Sequence, residues 1–225
     1  MPRDAASAVV SQTRLRDPDR TRAAILSAAT SEFAAHGLGG ARVDRIAAQS
    51  KSNKRMLYYY FGDKEGLYVA VLEAAYERIR GEEQKLDLRH KPPREGVREL
   101  CIFTWRYFVA HPEFLSLLNT ENLHRARYLK HSNKVRALHS PLIATLSELL
   151  ERGRRERVFR DGVDPVQLYI SIAALGYFYL SNAHTLSTIF GRNLLAPRAR
   201  SARLDHIVGL VLGSLESSAL AGKSA

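Results

Sequence analysis

Hydrophobic positions recur along this chain with a helical period, and no stretch sustains the alternation of a strand. Asp17 followed by Pro18 reads as an N-cap with proline at the first helical position. From there Ile25, Leu26, Ala29 and Phe33 line one face as far as His36, where Gly37 supplies a stop. A short helix follows with Val43, Ile46 and Ala47 on its inner side. After a break at 50–52, Asn53 can cap a second short helix through about Tyr60, and Gly62-Asp63 makes the next turn and cap. A long helix from Lys64 to about Lys85 carries Leu67, Ala70, Val71, Ala74 and Arg78 on one stripe.

The stretch LDLRHKPPREG, with Pro92 and Pro93 adjacent, marks the clearest domain boundary. Beyond it Val97, Leu100, Cys101, Thr104 and Phe108 share a face that ends at His111-Pro112. Helical segments from Glu113 to about Tyr128 and from Val135 to Arg157 come next. The loop FRDGVDP leads into an apolar helix at 165–188. After GRNLLAPRARS, a final helix from about Ala202 to Leu220 carries Ile207, Leu210, Val211, Ser214 and Leu215. There is no internal repeat. The pattern predicts an all-α chain in four parts: a flexible basic arm (1–16), a three-helix domain (17–63), a connecting helix and linker (64–91), and a larger helical domain (92–225).

Composition changes this picture by naming the kind of partner. Among 225 residues, 45% hydrophobic and 25% charged is globular composition. A net charge of +11 calls for an anionic partner, with nucleic acid ahead of membrane. Residues 1–64 hold 11 Lys/Arg against 6 Asp/Glu, and the remainder 23 against 17, so the N-terminal quarter is about twice as basic per residue. Cys101 is the only cysteine, which leaves no intramolecular disulfide and no cysteine zinc site and fits a reducing cytosol. The N-terminus has no apolar run of signal-peptide length. Val166 to Leu180, the most apolar stretch, is about 15 residues where a span takes roughly 20. A cytoplasmic protein with no membrane partner is expected. So is the absence of catalysis, metal and cofactor. The chain has no glycine-rich phosphate loop, no GxSxG and no His-Glu-x-x-His, and His124 and His131 are too loosely spaced to argue for a metal.

The candidate chemistry lies in NKRMLYYYFGDKEGLY, residues 53–68. Three consecutive tyrosines cannot share one core, because successive helical side chains step about 100° around the axis. Two short helices packed on a longer one make a helix-turn-helix, in which the second helix enters the major groove and the first crosses the backbone. Leu57 and Phe61 serve as inward anchors. Asn53, Lys54, Arg55, Met56 and Tyr58 or Tyr59 stand at the exposed end, one of those two tyrosines being core. Arg and Lys pair with guanine or phosphate, a tyrosine hydroxyl reaches phosphate, and methionine touches a thymine methyl. Lys64 opens the next helix, where exposed amides and an ammonium favour phosphate. Arg42 and Arg45 on the first short helix add phosphate contacts. Arg14 and Arg16 could reach a minor groove from the arm, although a solubilising tail is the plainer reading.

The stretch from Thr21 to Val71 resembles the DNA-binding domain of TetR-family transcriptional regulators. Its landmarks are Ile25-Leu26, Ala28-Ala29, Phe33, Gly37, Ile46-Ala47, Leu57, Tyr59-Tyr60-Phe61, Lys64-Glu65 and Leu67. The resemblance implies an all-helical homodimer that binds a pseudo-palindrome on double-stranded DNA and is released, as a repressor, by a small-molecule effector. Two positions depart from the family. Ala41 and Arg42 stand where a threonine often caps the short helix. Lys51 stands where the turn usually has glycine, so either a left-handed residue carries strain of roughly 1 kcal/mol or the turn is shifted.

In the larger domain the resemblance implies an effector pocket and a dimer face. Pocket candidates, chosen as polar groups and aromatics among apolar residues, are Trp105, Glu121, Asn122, Arg125, Tyr128, Tyr177 and Asn182, which suggest an aromatic or cyclic effector. The helix at 165–188 is apolar nearly all round, so it is buried on every side. Either a partner subunit covers one face or the helix is wholly internal. The family dimer is a four-helix bundle of the last two helices, placing Tyr169, Ala173, Gly176, Leu180, Ile207, Leu210, Gly213 and Ser214 at the interface. The arginine run at 152–157 reads as a solvated helix end. The rival function is a non-specific architectural DNA binder, which would not need so large an apolar C-terminal domain.

Overall fold

The computed structural model describes residues 18–216. The expected arm, the Asp17 cap and the end of the final helix lie outside them. Ten α-helices are found among the described residues: α1 Pro18–Gly40, α2 Val43–Gln49, α3 Lys54–Phe61, α4 Lys64–Gln84, α5 Pro93–Ala110, α6 Pro112–Leu123, α7 Asn133–Arg155, α8 Pro165–Ser181, α9 Ala183–Phe190 and α10 Pro197–Leu215. Proline at the first helical position starts α1, α5, α6, α8 and α10, where its missing N–H would have had no partner. Asn53, Asp63, Ser132 and Asp164 accept from amides of the first turns of α3, α4, α7 and α8.

Two large cores result. One joins α1, α2 and α3 through Ile25, Phe33, Ile46 and Leu57, and also takes in Leu67, Tyr68, Val71 and Leu72 of α4. Each such fully buried apolar side chain stabilises by roughly 1.5–3 kcal/mol. The same core includes Leu117 and Tyr128 from beyond the proline boundary, so α6 closes the N-terminal unit from outside. The second core is built by α5, α7, α8 and α10 around Leu100, Trp105, Leu146, Leu149, Ile172, Ile207 and Val211. A smaller cluster of Ile79, Tyr107, Phe108, Phe114 and Leu115 lies on α4, α5 and α6. Helix α4 therefore belongs to two packing environments.

The expected faces of α1 and α5 are buried much as the periodicity predicts. Gly37 stops regular helix where expected, at φ 61, ψ 177, although helical hydrogen bonding resumes through Gly40. Four expectations need correction. Arg78 is exposed and faces Glu113 at 3.9 Å, while the buried stripe of α4 continues through Ile79, Arg80 and Glu83. The segment after Glu113 does not run to Tyr128. It ends at Leu123 and turns through Arg125 and Ala126 at φ 56 and 55, because the Glu121 carboxylate draws in the amides of Tyr128 and Leu129 at 2.9 and 2.8 Å. The helix expected at 165–188 breaks at Asn182, whose side chain donates back to the Phe178 carbonyl. The final helix starts at Pro197, five residues before the expected Ala202, since proline here opens the helix rather than delaying it.

Candidate nucleic-acid interface

The outward end of the N-terminal unit is set by the capping of α2 and α3. Arg42 is the N-cap of α2 and makes no side-chain cap. The missing hydroxyl is replaced from α1: buried Glu32 accepts the Arg42 amide at 2.8 Å and Arg45 Nε at 2.7 Å. Burial pushes the Glu32 carboxyl up, but the hydrogen bonds from Arg45 and Arg42 outweigh it and hold the group below its usual range. Arg45 also donates to the Gly40 carbonyl, so it works as a stay between α1 and α2.

The turn into α3 decides between strain and a shifted register. Lys51 sits at φ 52, in the left-handed region, so the chain keeps the turn and carries a non-glycine residue there. Asn53 then accepts from the Met56 amide at 3.0 Å. At the other end Gly62 takes φ 77, and a Cβ on Gly66 would lie 2.2 Å from the Phe61 carbonyl oxygen. Only glycine allows α4 to start this close under α3.

Within α3, Leu57 is buried, and Met56 and Phe61 are partly buried against the same core. Both Tyr58, 47% exposed, and Tyr59, 77% exposed, point outward. The expectation that one of them is core is therefore corrected; Tyr60 takes the partly buried place, edge-on to Tyr59 at 5.2 Å. Lys54 pairs with Asp44 of α2, which also lies 4.0 Å from Arg42. The Lys54 hydrogen bond holds the Asp44 carboxyl low and raises the ammonium in turn. Arg55 is exposed and meets no acidic side chain among the described residues, and Lys64 is half-buried at the first position of α4.

The seven pocket candidates do not assemble into one wall. Trp105 is in the second core, edge-on to Tyr179. Glu121, 3% exposed, knots the loop after α6, and Tyr128 packs edge-on against Tyr68. Asn122 and Arg125 are exposed, Tyr177 bonds Asn119, and Asn182 caps the end of α8. Sequence reasoning missed Arg80 and Glu83, which line a cavity of ≈ 260 Å³ between α4 and α7. The signal was two charges continuing the 3–4 spacing of a buried stripe.

Of the dimer candidates, Leu210, Gly213 and Ser214 are exposed and Ala173 and Leu180 are partly buried. Ile207 and Gly176 are buried in the subunit's own core, so these two are corrected, while Tyr169, like Leu180, packs partly against that core. The outward stripe of α8 instead comprises Val166, Ile170, Ala174 and Phe178, each four residues from the last. That spacing was readable in the sequence but hidden by a helix apolar on every side.

A short helix that turns a cation and two tyrosines outward, braced on a second short helix in an all-α chain, defines a helix-turn-helix DNA-binding protein. Residues 25–71 match the bacterial regulatory proteins of the tetR family, and residues 93–211 match the tetracyclin repressor-like C-terminal domain. The chain belongs to the TetR family of transcriptional regulators. It is 41% identical to the HTH-type transcriptional repressor NicS of Pseudomonas putida, over 90% of this chain and 95% of that protein. It is 33% identical to the HTH-type transcriptional repressor SCO4008 of Streptomyces coelicolor, over 71% and 78%. A crystal structure of a TetR-family regulator from Marinobacter aquaeolei shares the fold, with TM-score 0.66 at 20% identity over 88% of this chain and 97% of that one. No helix among the described residues is long and apolar enough to cross a membrane.

Proposed function

We propose that this regulator is a homodimeric repressor that reads a pseudo-palindromic operator with α3 of each subunit and leaves it when a small molecule occupies the C-terminal domain. The observation that carries the reading is the outward face of α3: Arg55, Tyr58 and Tyr59 stand exposed on one short helix, with Lys51 and Lys54 at its entrance. Arg55 reads a base edge or clamps phosphate, the tyrosine hydroxyls and Lys64 take phosphates, and Met56 and Asn53 flank them. Lys54 and Arg42 exchange Asp44 for phosphate, which is easy because an exposed ion pair is worth little. Arg45 acts by holding α2 in place.

The second copy covers the apolar outward stripe of α8 and the small-residue face around Leu210 on α10. Phe178 is 58% and Leu210 51% exposed in the single subunit, and a Cβ on Gly209 or Gly213 would meet nothing within 4 Å. Two recognition helices then dock about 34 Å apart, one turn of DNA. A ligand that prefers another spacing shifts the population off DNA by no more than its differential affinity.

A titration of the protein on the DNA upstream of its own gene, against a scrambled duplex at physiological salt, tests this reading. A preference of roughly a thousandfold or more supports a specific regulator. Equal binding to both points to a non-specific binder. Gly213→Leu leaves the subunit's fold intact and weakens dimerisation and operator binding together; an intact dimer by sedimentation would remove Gly213 from the interface.

A further inference from the structure

Helix α4 buries a complete ion pair. Arg80 is 3% and Glu83 5% exposed, and Arg80 Nη1 lies 2.7 Å from Glu83 Oε2. Taking two charges out of water costs several kcal/mol per ion, recovered only where the remaining donors and acceptors are satisfied. Here they are not. Arg80 Nη2 donates to the Tyr169 hydroxyl at 3.1 Å, and the guanidinium lies over that ring. Arg80 Nε and Nη1 and Glu83 Oε1 are buried without a hydrogen-bond partner, the Nη1 contact with Glu83 being close but misaligned.

Both residues line the cavity between α4 and α7, whose α7 wall is mostly apolar, from Leu138, Pro141 and Leu142 with Thr145. The charged groups at its rim are already engaged. Asp87 holds His90 at 2.6 Å, and Arg89 faces Glu148 at 3.1 Å. Arg152 donates to the Arg89 and Lys91 carbonyls, which pins the rim loop. The unmet valence among the lining residues is therefore on Arg80 and Glu83, with the guanidinium a planar donor set suited to a carboxylate. At ≈ 260 Å³ the space falls just below the usual range of ligand pockets, so it takes a single ring rather than a long chain.

We infer that this cavity is the effector site and that its ligand is a small, planar monocarboxylic acid anchored by Arg80, with Glu83 as the proton-carrying partner. This deepens the proposed function, resting on its effector-responsive reading. A carboxylate entering beside an ionised Arg80–Glu83 pair would leave a net negative charge in the interior. Glu83 avoids that by binding one proton as the acid enters, and its protonated oxygen then donates a hydrogen bond. Burial pushes the Glu83 carboxyl up to about 7, despite the opposing pull of Arg80, so the proton is available near neutrality. Among the described residues, the other titratable groups facing the pair are Tyr76 and Tyr169, both raised by burial and neutral in this range. The described residues of α7 that line the cavity are uncharged.

Calorimetric titration of the full-length protein with benzoate, phenylacetate and cinnamate, and with their primary amides, tests the inference without DNA. At least one acid should bind, with its amide tenfold or more weaker. The double variant Arg80→Met with Glu83→Leu keeps the fold, because apolar residues of similar size replace a buried pair without loss of stability; it should lose that binding tenfold or more. For wild type, affinity should fall about tenfold per pH unit above 7, one proton per ligand, and Glu83→Gln should flatten the slope. Amides that bind as well as acids, no acid that binds, or a double variant with unchanged affinity would each overturn it. The regulator reading fails separately, by equal binding to operator and scrambled DNA.

Discussion

The two ends of α4 carry charge in opposite ways. At Lys64 the helix opens beside α3, where Lys51, Lys54 and Arg55 stand exposed, and water solvates whatever has no partner. Five turns later Arg80 and Glu83 are enclosed, with three polar atoms unsatisfied. Unpaired surface charge costs almost nothing to hold, so those cations can wait for a polyanion. Unsatisfied charge in the interior costs stability continuously, roughly 1–3 kcal/mol or more per group. The same helix thus links a solvated cationic face with an enclosed ion pair.

The sharpest way to break that contrast is to remove one member of the buried pair. Arg80→Ala leaves Glu83 buried alone and should cost roughly 3–5 kcal/mol by urea unfolding at pH 8. The loss should shrink at pH 5.5, where Glu83 takes a proton and no longer needs a partner. The sign follows from its raised carboxyl in wild type. The folded state holds the proton better than the unfolded chain, so Glu83's contribution is full below about 4.5 and lost as pH rises through about 7. A variant equally unstable at both pH values would show that Glu83 does not titrate in this range.

At the other end of α4 the tight constraint is backbone, not charge. Gly66→Ala places a Cβ against the Phe61 carbonyl, and α3 must shift. A stability loss of about 1–3 kcal/mol is expected, with operator affinity falling further than global stability explains. Normal affinity in a destabilised variant would mean that α3 tolerates the shift. Arg55→Ala should leave the melting temperature unchanged and weaken operator binding by about 1–3 kcal/mol if the side chain reads guanine. Equal weakening on all sequences would reassign it to phosphate.

The DNA-facing end was legible because its determinants are local. Gly37, Asn53, Leu57, the tyrosine run and Gly62-Asp63 lie within about 30 residues, and each acts through its own turn or cap. Even there, one side-chain direction was missed, since nothing local decides which of three tyrosines Tyr60 displaces from the core. The cavity was not legible. Arg80, Glu83, Leu138, Leu142 and Tyr169 come from three helices, and their meeting depends on how α7 and α8 pack. Residues chosen instead by local pattern, such as Glu121 and Asn182, proved to bond the backbone of nearby turns. A polar residue between apolar ones serves the chain before it serves a ligand.

The smallest effect tests whether the surface end carries any strain for function. Lys51 holds φ 52, a conformation that costs an L-residue roughly 1–2 kcal/mol. Lys51→Gly relieves this, but glycine also loosens the unfolded chain by about 0.4–1 kcal/mol, so the net change should lie between zero and about 1.6 kcal/mol of stabilisation. The same substitution removes a cation from the entrance to α3. If Lys51 meets phosphate, operator affinity should fall, and the slope of log affinity against log salt should shrink by about 0.9 per half-site. Stability and affinity would then move in opposite directions, which no general loosening of the turn can produce. A glycine variant that gains stability and keeps its salt slope would make Lys51 a tolerated accident of the turn rather than part of the DNA face.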